Sequence, residues 1–249
     1  MEVLRTDRIT KSYQGRMIVR DISIHLEKQE LISLLGLSGS GKTTILNIMS
    51  GLVQPDSGNV FLEDRDITGQ PGYISYMLQK DLMLPHKRVI DNVALPLVIS
   101  GMKKKEAREK ANPYFARFDL EGTQMLYPSQ MSGGMRQRAA LLRTYLSSRG
   151  VILLDEPFSA LDMITREQLH GWYLDMMEKM KLSTILITHD ADEAIKLSDR
   201  IYILAGSPGE IRHEFRIDVP REERKEFNVT PEFAVWKRQI RDALQQSAG

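Results

Sequence analysis

The chain has 249 residues, with 34 basic side chains, 33 acidic side chains and no cysteine. The formal net charge of +1 excludes a global field that draws the chain to nucleic acid or to an acidic membrane surface. The lack of cysteine excludes a disulfide framework, a zinc-thiolate site and a cysteine nucleophile. Residues 1–10 have no signal-peptide core, and no apolar run approaches the roughly 20 residues of a membrane helix. We therefore expect a cytosolic chain that relies on another chain for any membrane spans.

The first 28 residues predict two strands joined by a turn at residues 14–16. Residues 18–26 alternate between apolar and polar types, as a half-buried strand does. Tyr13 lies at the turn, where it is either an ordinary edge aromatic or a platform for a nucleotide base. Its position alone favours the edge aromatic.

The best-defined motif is the stretch at residues 36–44, which fits the phosphate-loop pattern G-x-x-x-x-G-K-S/T. An apolar strand at residues 31–35 precedes it, and a helix follows from Thr44. In this context glycines let backbone N–H groups surround phosphate oxygens, and the helix N-terminus adds partial positive charge. Lys42 is expected to reach the outer phosphates and the Thr43 hydroxyl to ligate Mg²⁺. The predicted phosphate-binding residues are Gly36, Ser38, Gly39, Ser40, Gly41, Lys42, Thr43 and Thr44.

The middle of the chain holds two weaker signals. A predicted strand at residues 73–78 ends at Gln79, an amide at the edge where open α/β sheets bind ligands, although a surface amide is an equal alternative. Residues 81–150 then show helical periodicity, which predicts a helical insertion. Inside it, Ser132, Gly133 and Gly134 precede a helix predicted at residues 135–147. Ser132 is a good N-cap, and this Ser-Gly-Gly motif is either a second anion site or an ordinary loop.

Two later strands end in polar side chains. Residues 151–154 are apolar and lead into Asp155 and Glu156. We predict that Asp155 holds Mg²⁺ and that Glu156 aligns or deprotonates an attacking water, with a helix-capping acidic pair as the alternative. Residues 184–188 lead into His189, which is placed to hydrogen-bond a terminal phosphate.

The remaining predictions alternate helices with strands. They are a short loop at residues 159–162, helices at 168–181 and 191–197, a strand at 200–204, a tight turn at 206–210, a polar link at 220–228 and a helix at 231–246.

Seven elements, taken together in this order, resemble the ATP-binding subunit of an ABC transporter. They are Tyr13, the phosphate loop, Gln79, the Ser-Gly-Gly motif, Asp155 with Glu156, the loop that ends at Asp162, and His189. The resemblance covers nearly the whole chain and implies an α/β fold: a P-loop NTPase (RecA-like) core, a small N-terminal antiparallel β-subdomain and an inserted helical subdomain. It implies one domain over residues 1–249, with the core and β-subdomain at 1–80 and 151–220, the helical subdomain at 81–150 and a helical tail at 221–249.

The resemblance also implies roles for the residues. Tyr13 stacks on the adenine of ATP, and the phosphate loop cradles the phosphates. Thr43, Gln79 and Asp155 surround Mg²⁺. Glu156 is the catalytic base, and Lys42, Gln79 and His189 complete the catalytic group.

The remaining implied roles involve a second copy of the chain. Two copies face each other head to tail with two ATP molecules between them. The Ser-Gly-Gly motif of one copy binds the γ-phosphate held by the other, and Asp162 links the two sites. The family motif usually reads Leu-Ser-Gly-Gly-Gln, whereas this chain has Met131 and Met135 at its ends, so one amide is lost from the interface. Since the serine and glycines are intact, we still expect hydrolysis.

The implied partner is a membrane permease, docked on a groove of the helical subdomain with residues 79–87 at the junction. Residues 82–97 and 205–211 look like the nitrate/sulfonate/taurine importer group. That group suggests a small anionic or polar solute, an extracytoplasmic solute-binding protein, a peripheral location on the cytoplasmic face of the cell membrane, and no nucleic acid partner. Related subunits serve thiamine precursors, amino acids and lipoprotein release. The alternatives are a soluble ABC-type ATPase acting on ribosomes or DNA and a nucleotide-dependent assembly factor.

Overall fold

Two β-sheets and the helices around them make up the computed structural model, which describes residues 1–246. The strands are β1 (Glu2–Tyr13), β2 (Arg16–Glu27), β3 (Leu31–Gly36), β4 (Ser57–Leu62), β5 (Arg65–Asp66), β6 (Ser75–Met77), β7 (Val151–Asp155), β8 (Ser183–Thr188), β9 (Arg200–Ala205) and β10 (Glu210–Arg216). The helices are α1 (Lys42–Met49), α2 (Val89–Val93), α3 (Leu95–Ile99), α4 (Lys104–Arg117), α5 (Gly133–Ser147), α6 (Met163–Met180), α7 (Ala191–Leu197) and α8 (Pro231–Gln246). Within residues 1–246, every helix is too short or too polar to span a lipid bilayer.

The larger sheet has the strand order β10-β9-β3-β8-β7-β6. Strands β6, β7, β8, β3 and β9 run parallel, and β10 pairs with β9 in the antiparallel sense. All positions of β3, β7 and β8 are buried, as expected for parallel strands covered on both faces. The carboxyl ends of these three strands therefore share one edge, where the phosphate loop, Asp155 and the residues after Thr188 meet.

The smaller sheet is antiparallel, in the order β2-β1-β4-β5, and packs against α1. Its apolar face supplies Val19, Ile22 and Val60 to a core shared with Ile45 and Leu46 of α1. This packing fixes β2 directly beside the phosphate loop.

The hairpin of β9 and β10 is joined to β2 through one glycine. The Gly209 N–H donates to the Ile18 carbonyl at 2.8 Å, and the Arg20 N–H donates to the Gly209 carbonyl at 2.9 Å. The two sheets are thus linked at the level of the phosphate loop.

Helices α2 to α5 lie between β6 and β7 in the chain and form the expected helical insertion. Asn92 of α2 is fully buried, and its amide nitrogen donates to the carbonyls of Leu84, Lys87 and Arg88 at 3.1–3.2 Å. Its amide oxygen accepts from the Leu84 N–H at 2.6 Å. One buried side chain therefore shapes the segment between Gln79 and the insertion.

Several predicted boundaries are wrong. The strand expected at residues 73–78 covers only Ser75–Met77, and the helix expected at residue 168 begins at Met163. The earlier start follows from Asp162, which accepts a hydrogen bond from the Thr165 N–H at 3.0 Å and caps α6. Helix α5 begins two residues before its predicted start, directly after Ser132. Strands β5 and β10 were not predicted. The tail predicted at residues 221–249 is described as far as residue 246, and its last three residues lie outside the described chain.

Candidate active site

A cavity of about 480 Å³ opens at the shared carboxyl edge of β3, β7 and β8. Residues from five separate stretches of the chain line it: Ile18, Ser38, Gly39, Gly41, Lys42, Thr43, Thr44, Gln79, Glu156 and His189. The predicted phosphate loop, amide, carboxylate and histidine therefore meet in one place.

The phosphate loop is held between β2 and the β9–β10 hairpin. Gly41 has a φ of +102°, and a Cβ at this position would lie 2.4 Å from Cγ1 of Val19. From the other side, a Cβ on Gly209 would lie 2.1 Å from the Ser40 carbonyl oxygen. The Ser40 hydroxyl is buried and has no hydrogen-bond partner among residues 1–246. A buried hydroxyl without a partner inside this loop fits a site built for a polar ligand.

Lys42 is the buried cation of the site. Its Nζ donates to the carbonyls of Gly36 at 2.8 Å and of Leu37 at 3.0 Å, which uses two of its three donors. Burial lowers the pKa of the Lys42 ammonium, while the nearby Glu156 and Asp155 carboxylates oppose that shift. The side chain thus places positive charge within the phosphate loop.

One carboxylate oxygen of Asp155 accepts hydrogen bonds from two hydroxyl groups. The Thr43 Oγ1 and the Tyr76 hydroxyl each donate to Asp155 Oδ2 at 3.2 Å. Burial raises the pKa of Asp155, and the two hydrogen bonds lower it again in part. The adjacent hydroxyl and carboxylate oxygens are hard donors of the kind that Mg²⁺ accepts. Within residues 1–246, no group of three or more histidine, cysteine or acidic side chains is arranged to hold a metal ion.

Glu156 sits between the amide and the histidine. Its Oε2 accepts a hydrogen bond from Gln79 Nε2 at 3.2 Å and lies 3.1 Å from His189 Nδ1. Its backbone has a φ of +45°, a strained region for a residue with a side chain, and its N–H donates to the Ile187 carbonyl at 3.0 Å. The carboxylate is therefore positioned by its backbone and by two polar neighbours, as a general base requires.

The Ser-Gly-Gly motif and Asp162 lie apart from this cavity and close to each other. The Ser132 Oγ caps α5 by accepting from the Met135 N–H at 3.3 Å. A Cβ on Gly134 would lie 3.0 Å from Thr165 of α6, so the start of α5 packs on the start of α6. Hydrogen bonds from Thr165 lower the pKa of Asp162.

Tyr13 ends β1 and is 43% exposed, with Lys11 Nζ lying 5.5 Å from its ring centroid. It does not line the cavity, whereas Ile18 of the same hairpin does.

Sequence reasoning missed three residues that shape the site, namely Ile18, Tyr76 and Gly209. Tyr76 lies in β6 opposite Leu153 of β7, so its contact with Asp155 depends on a parallel register that no local pattern reveals. Gly209 was visible only as part of a turn.

Comparison with known proteins identifies the family of the chain. Residues 19–159 match the family model described as ABC transporter. The chain is 40% identical over 231 residues to the formylaminopyrimidine import ATP-binding protein of Halalkalibacterium halodurans, covering 92% of this chain and 89% of that protein. It is 32% identical over 252 residues to the nitrate import ATP-binding protein of a Synechocystis strain, covering 98% and 95%.

Among solved structures, the chain resembles an ATP-binding cassette in a dimeric post-hydrolysis state bound to ADP and phosphate. The TM-score is 0.74 at 27% identity, and the match covers 87% of this chain and 100% of that one. The family model spans more than half of the chain, and the relatives cover almost all of it. The chain therefore belongs to the ABC transporter family, as an ATP-binding and ATP-hydrolysing subunit.

Proposed function

We propose that the chain powers a membrane permease that imports a small polar or anionic solute. The observation that carries this proposal is the cavity in which the phosphate loop and Glu156 meet, with Asp155 hydrogen-bonded to Thr43 of that loop. The import functions in the names of two relatives support the direction of transport.

In the proposed site, backbone N–H groups and side chains of residues 36–44 bind the phosphates of ATP, and Tyr13 stacks on adenine. Lys42 stabilises negative charge on the outer phosphate oxygens. Thr43, Gln79 and Asp155 hold Mg²⁺, which neutralises phosphate charge when it is bound. The buried, unpartnered hydroxyl of Ser40 supports a ligand at this loop.

In the proposed hydrolysis, Glu156 orients a water molecule and accepts its proton. The water oxygen bonds to the γ-phosphorus while the bond to the β–γ bridging oxygen breaks, which yields ADP and phosphate. Gln79 Nε2 and His189 Nδ1 both contact Oε2 of Glu156, at 3.2 Å and 3.1 Å. The three side chains thus limit the orientations available to the base.

We infer that two copies associate head to tail around ATP. In this arrangement the Ser-Gly-Gly motif binds the γ-phosphate held by the partner, and Asp162 connects the two sites. Met163 and Ile164, directly after Asp162, are 76% and 67% exposed, and adjacent exposed apolar side chains support an interface at this point. Hydrolysis removes the shared γ-phosphate and allows the copies to separate. Since Ser132 rather than residue 135 caps α5, Met135 leaves the start of that helix intact.

The proposed permease site is a groove of about 690 Å³ between the larger sheet and the helical insertion. Leu82 and Ile99 line it and are 53% and 77% exposed, which suits the apolar face of a short helix. Arg143 fixes one wall by donating to the Leu82 carbonyl at 3.0 Å. Residues 79–87 run from the nucleotide cavity to this groove and offer a path between ATP and permease. The proposal also includes the domain organisation: residues 81–150 form a helical subdomain inserted within a single domain.

The solute class follows from the relatives. Formylaminopyrimidine and nitrate, named for two of them, are both small and polar, and one is an anion. An importer of such a solute works with an extracytoplasmic solute-binding protein and places its ATPase subunits on the cytoplasmic face of the cell membrane. We include both in the proposal.

Affinity purification of the tagged chain from detergent-solubilised cells of its source tests the proposal. We expect a multi-span membrane protein to co-purify with the wild type. The matched variant Leu82→Asp/Ile99→Asp should lose that protein while it still binds ATP, because both positions lie in the groove and away from the cavity. Recovery of ribosomal proteins or DNA-repair factors without a membrane protein would instead support a soluble ABC ATPase.

A further inference from the structure

A second cleft, of about 430 Å³, lies at the opposite edge of the larger sheet from the nucleotide cavity. Val151 and Ser183, the first residues of β7 and β8, line it, whereas the far ends of these strands reach the cavity. Among the described residues, the two sites have no lining residue in common. The cleft is therefore separate from the ATP site.

The cleft concentrates unpaired positive charge. Lys28, Arg65, Arg149 and Lys181 line it, and among residues 1–246 Glu63 is the only carboxylate that does. None of the four cations forms a side-chain hydrogen bond or an ion pair with another residue in the range 1–246. Because the chain as a whole is balanced, with 34 basic and 33 acidic residues, this excess is a local feature. The four cations outnumber the Glu63 carboxylate, so an anion bound among them would be attracted by the net positive charge.

Tyr73 holds two of these cations in place. The guanidinium carbon of Arg65 lies 4.5 Å from the centroid of the Tyr73 ring, and that of Arg149 lies 5.6 Å away. A guanidinium held against an aromatic ring keeps its N–H groups available to an anion, and it loses less side-chain entropy on binding than a free arginine does. The cleft is thus partly preorganised.

The ligand class follows from the size and the charge of the cleft. A volume of about 430 Å³ lies within the range of small-molecule sites. Planar guanidinium groups match the paired oxygens of phosphate, and two lysines add point charges. We propose that this cleft binds a phosphoryl group that carries at least two negative charges, from a soluble phosphorylated compound or from a phospholipid headgroup.

Titration of the full-length chain with inorganic pyrophosphate, measured by calorimetry, tests the proposal. The background is Lys42→Ala, which weakens pyrophosphate binding at the ATP site. We expect binding in the micromolar to low millimolar range, and Arg65→Gln/Arg149→Gln should weaken it at least about tenfold at low salt. The control Arg216→Gln/Arg238→Gln removes the same charge from exposed positions outside the cleft and should change the affinity less than about twofold.

Two further measurements locate the site and the source of the phosphoryl group. Pyrophosphate should shift the amide resonances of Tyr73 and Gly150 and leave Gly39 unchanged. Sedimentation with vesicles that contain phosphatidic acid, whose phosphomonoester headgroup carries up to two negative charges, would identify a lipid headgroup as the source if it depends on Arg65 and Arg149 and pyrophosphate does not bind. Equal pyrophosphate affinity in the parent and in Arg65→Gln/Arg149→Gln, or no binding of either probe to the parent, would overturn the proposal.

Discussion

At the scale of single residues, Glu156 combines a strained backbone with a carboxylate oxygen that Gln79 and His189 both contact. If it is the base, Glu156→Gln should lower ATP hydrolysis by about 10²–10⁴-fold, because the amide cannot accept the proton of the water. ATP binding should persist, since the phosphate loop is unchanged. Phosphate release and nucleotide affinity measure the two effects. The exposed Glu178→Gln on α6 is the control and should hydrolyse ATP like the wild type. Phosphate release in the wild type that is no higher than in Glu156→Gln would favour an assembly factor over an ATPase.

The buried charge of Asp155 is expected to lower the stability of the fold, although the proposed Mg²⁺ site requires that charge. Because burial raises its pKa, the folded chain binds this proton more tightly than the unfolded chain does. The ionised carboxylate therefore lowers the free energy of unfolding as the pH rises from 3.8, its ordinary pKa, through the raised value. Asp155→Asn keeps an acceptor for Thr43 and Tyr76 without the charge. It should raise Tm at pH 7, and its advantage should shrink as the pH is lowered toward 4. A lower Tm than wild type at pH 7 would contradict this account.

At the scale of secondary-structure elements, the β9–β10 hairpin supports the phosphate loop through Gly209, which lies 169 residues after Ser40 in the chain. A Cβ on Gly209 would meet the Ser40 carbonyl at 2.1 Å, so Gly209→Ala must displace the loop or the hairpin. Overpacking of this kind costs about 1–3 kcal/mol, and if the loop moves, ATP affinity should fall by about 5- to 150-fold.

Gly171→Ala in α6 is the matched control for Gly209→Ala, because a Cβ there meets no atom of residues 1–246 within 4 Å. It should leave ATP affinity unchanged and add up to about 1 kcal/mol of helix stability. If Gly209→Ala binds ATP with wild-type affinity, the hairpin moves to accommodate the methyl group and the phosphate loop does not.

The start of α5 allows capping and phosphate recognition to be separated. Ser132→Ala loses the cap and should cost about 1 kcal/mol, or about 2–4 °C in Tm. Ser132→Asp retains a capping oxygen and should keep Tm, but its charge repels the partner's γ-phosphate. In a Glu156→Gln background, size-exclusion chromatography with ATP should therefore show a dimer for Ser132 and a monomer for Ser132→Asp. A dimer in both variants would remove Ser132 from the proposed interface.

The sequence predicted the elements that are specified by a short, continuous segment. The phosphate loop, the cap at Ser132 and the acidic pair after the apolar residues 151–154 can each be recognised within a dozen residues. Strand β10 was missed because its alternating residues Ile211, His213 and Phe215 directly follow a glycine- and proline-rich segment, and only the turn in that segment was predicted. The contact of Tyr76 with Asp155 depends on strand register, which forms only when the sheet assembles. The sequence did not predict which distant strands pair or in which register.

At the scale of the whole molecule, ATP should convert the chain from monomer to dimer through the exposed start of α6. Ile164→Asp in a Glu156→Gln background places a charge on this surface and should abolish the ATP-dependent dimer without lowering the monomer Tm. Val235→Asp in the same background is the control, since Val235 is also exposed, at 55%, but lies on α8. Light scattering after size exclusion measures the mass. Loss of the dimer in both variants would indicate a general effect of charge rather than an interface at Ile164.

The strand order of the larger sheet also governs when the ATP site can form during synthesis. Strand β3, which leads into the phosphate loop, has β8 and β9 as its two neighbours. Its sequence leaves the ribosome early, yet both neighbours are made only after residue 182. A nascent chain that ends before β8 must carry an apolar, unpaired strand, and such strands are prone to aggregate. Nucleotide binding is therefore among the last properties that the growing chain acquires, although its defining motif is among the first to be translated.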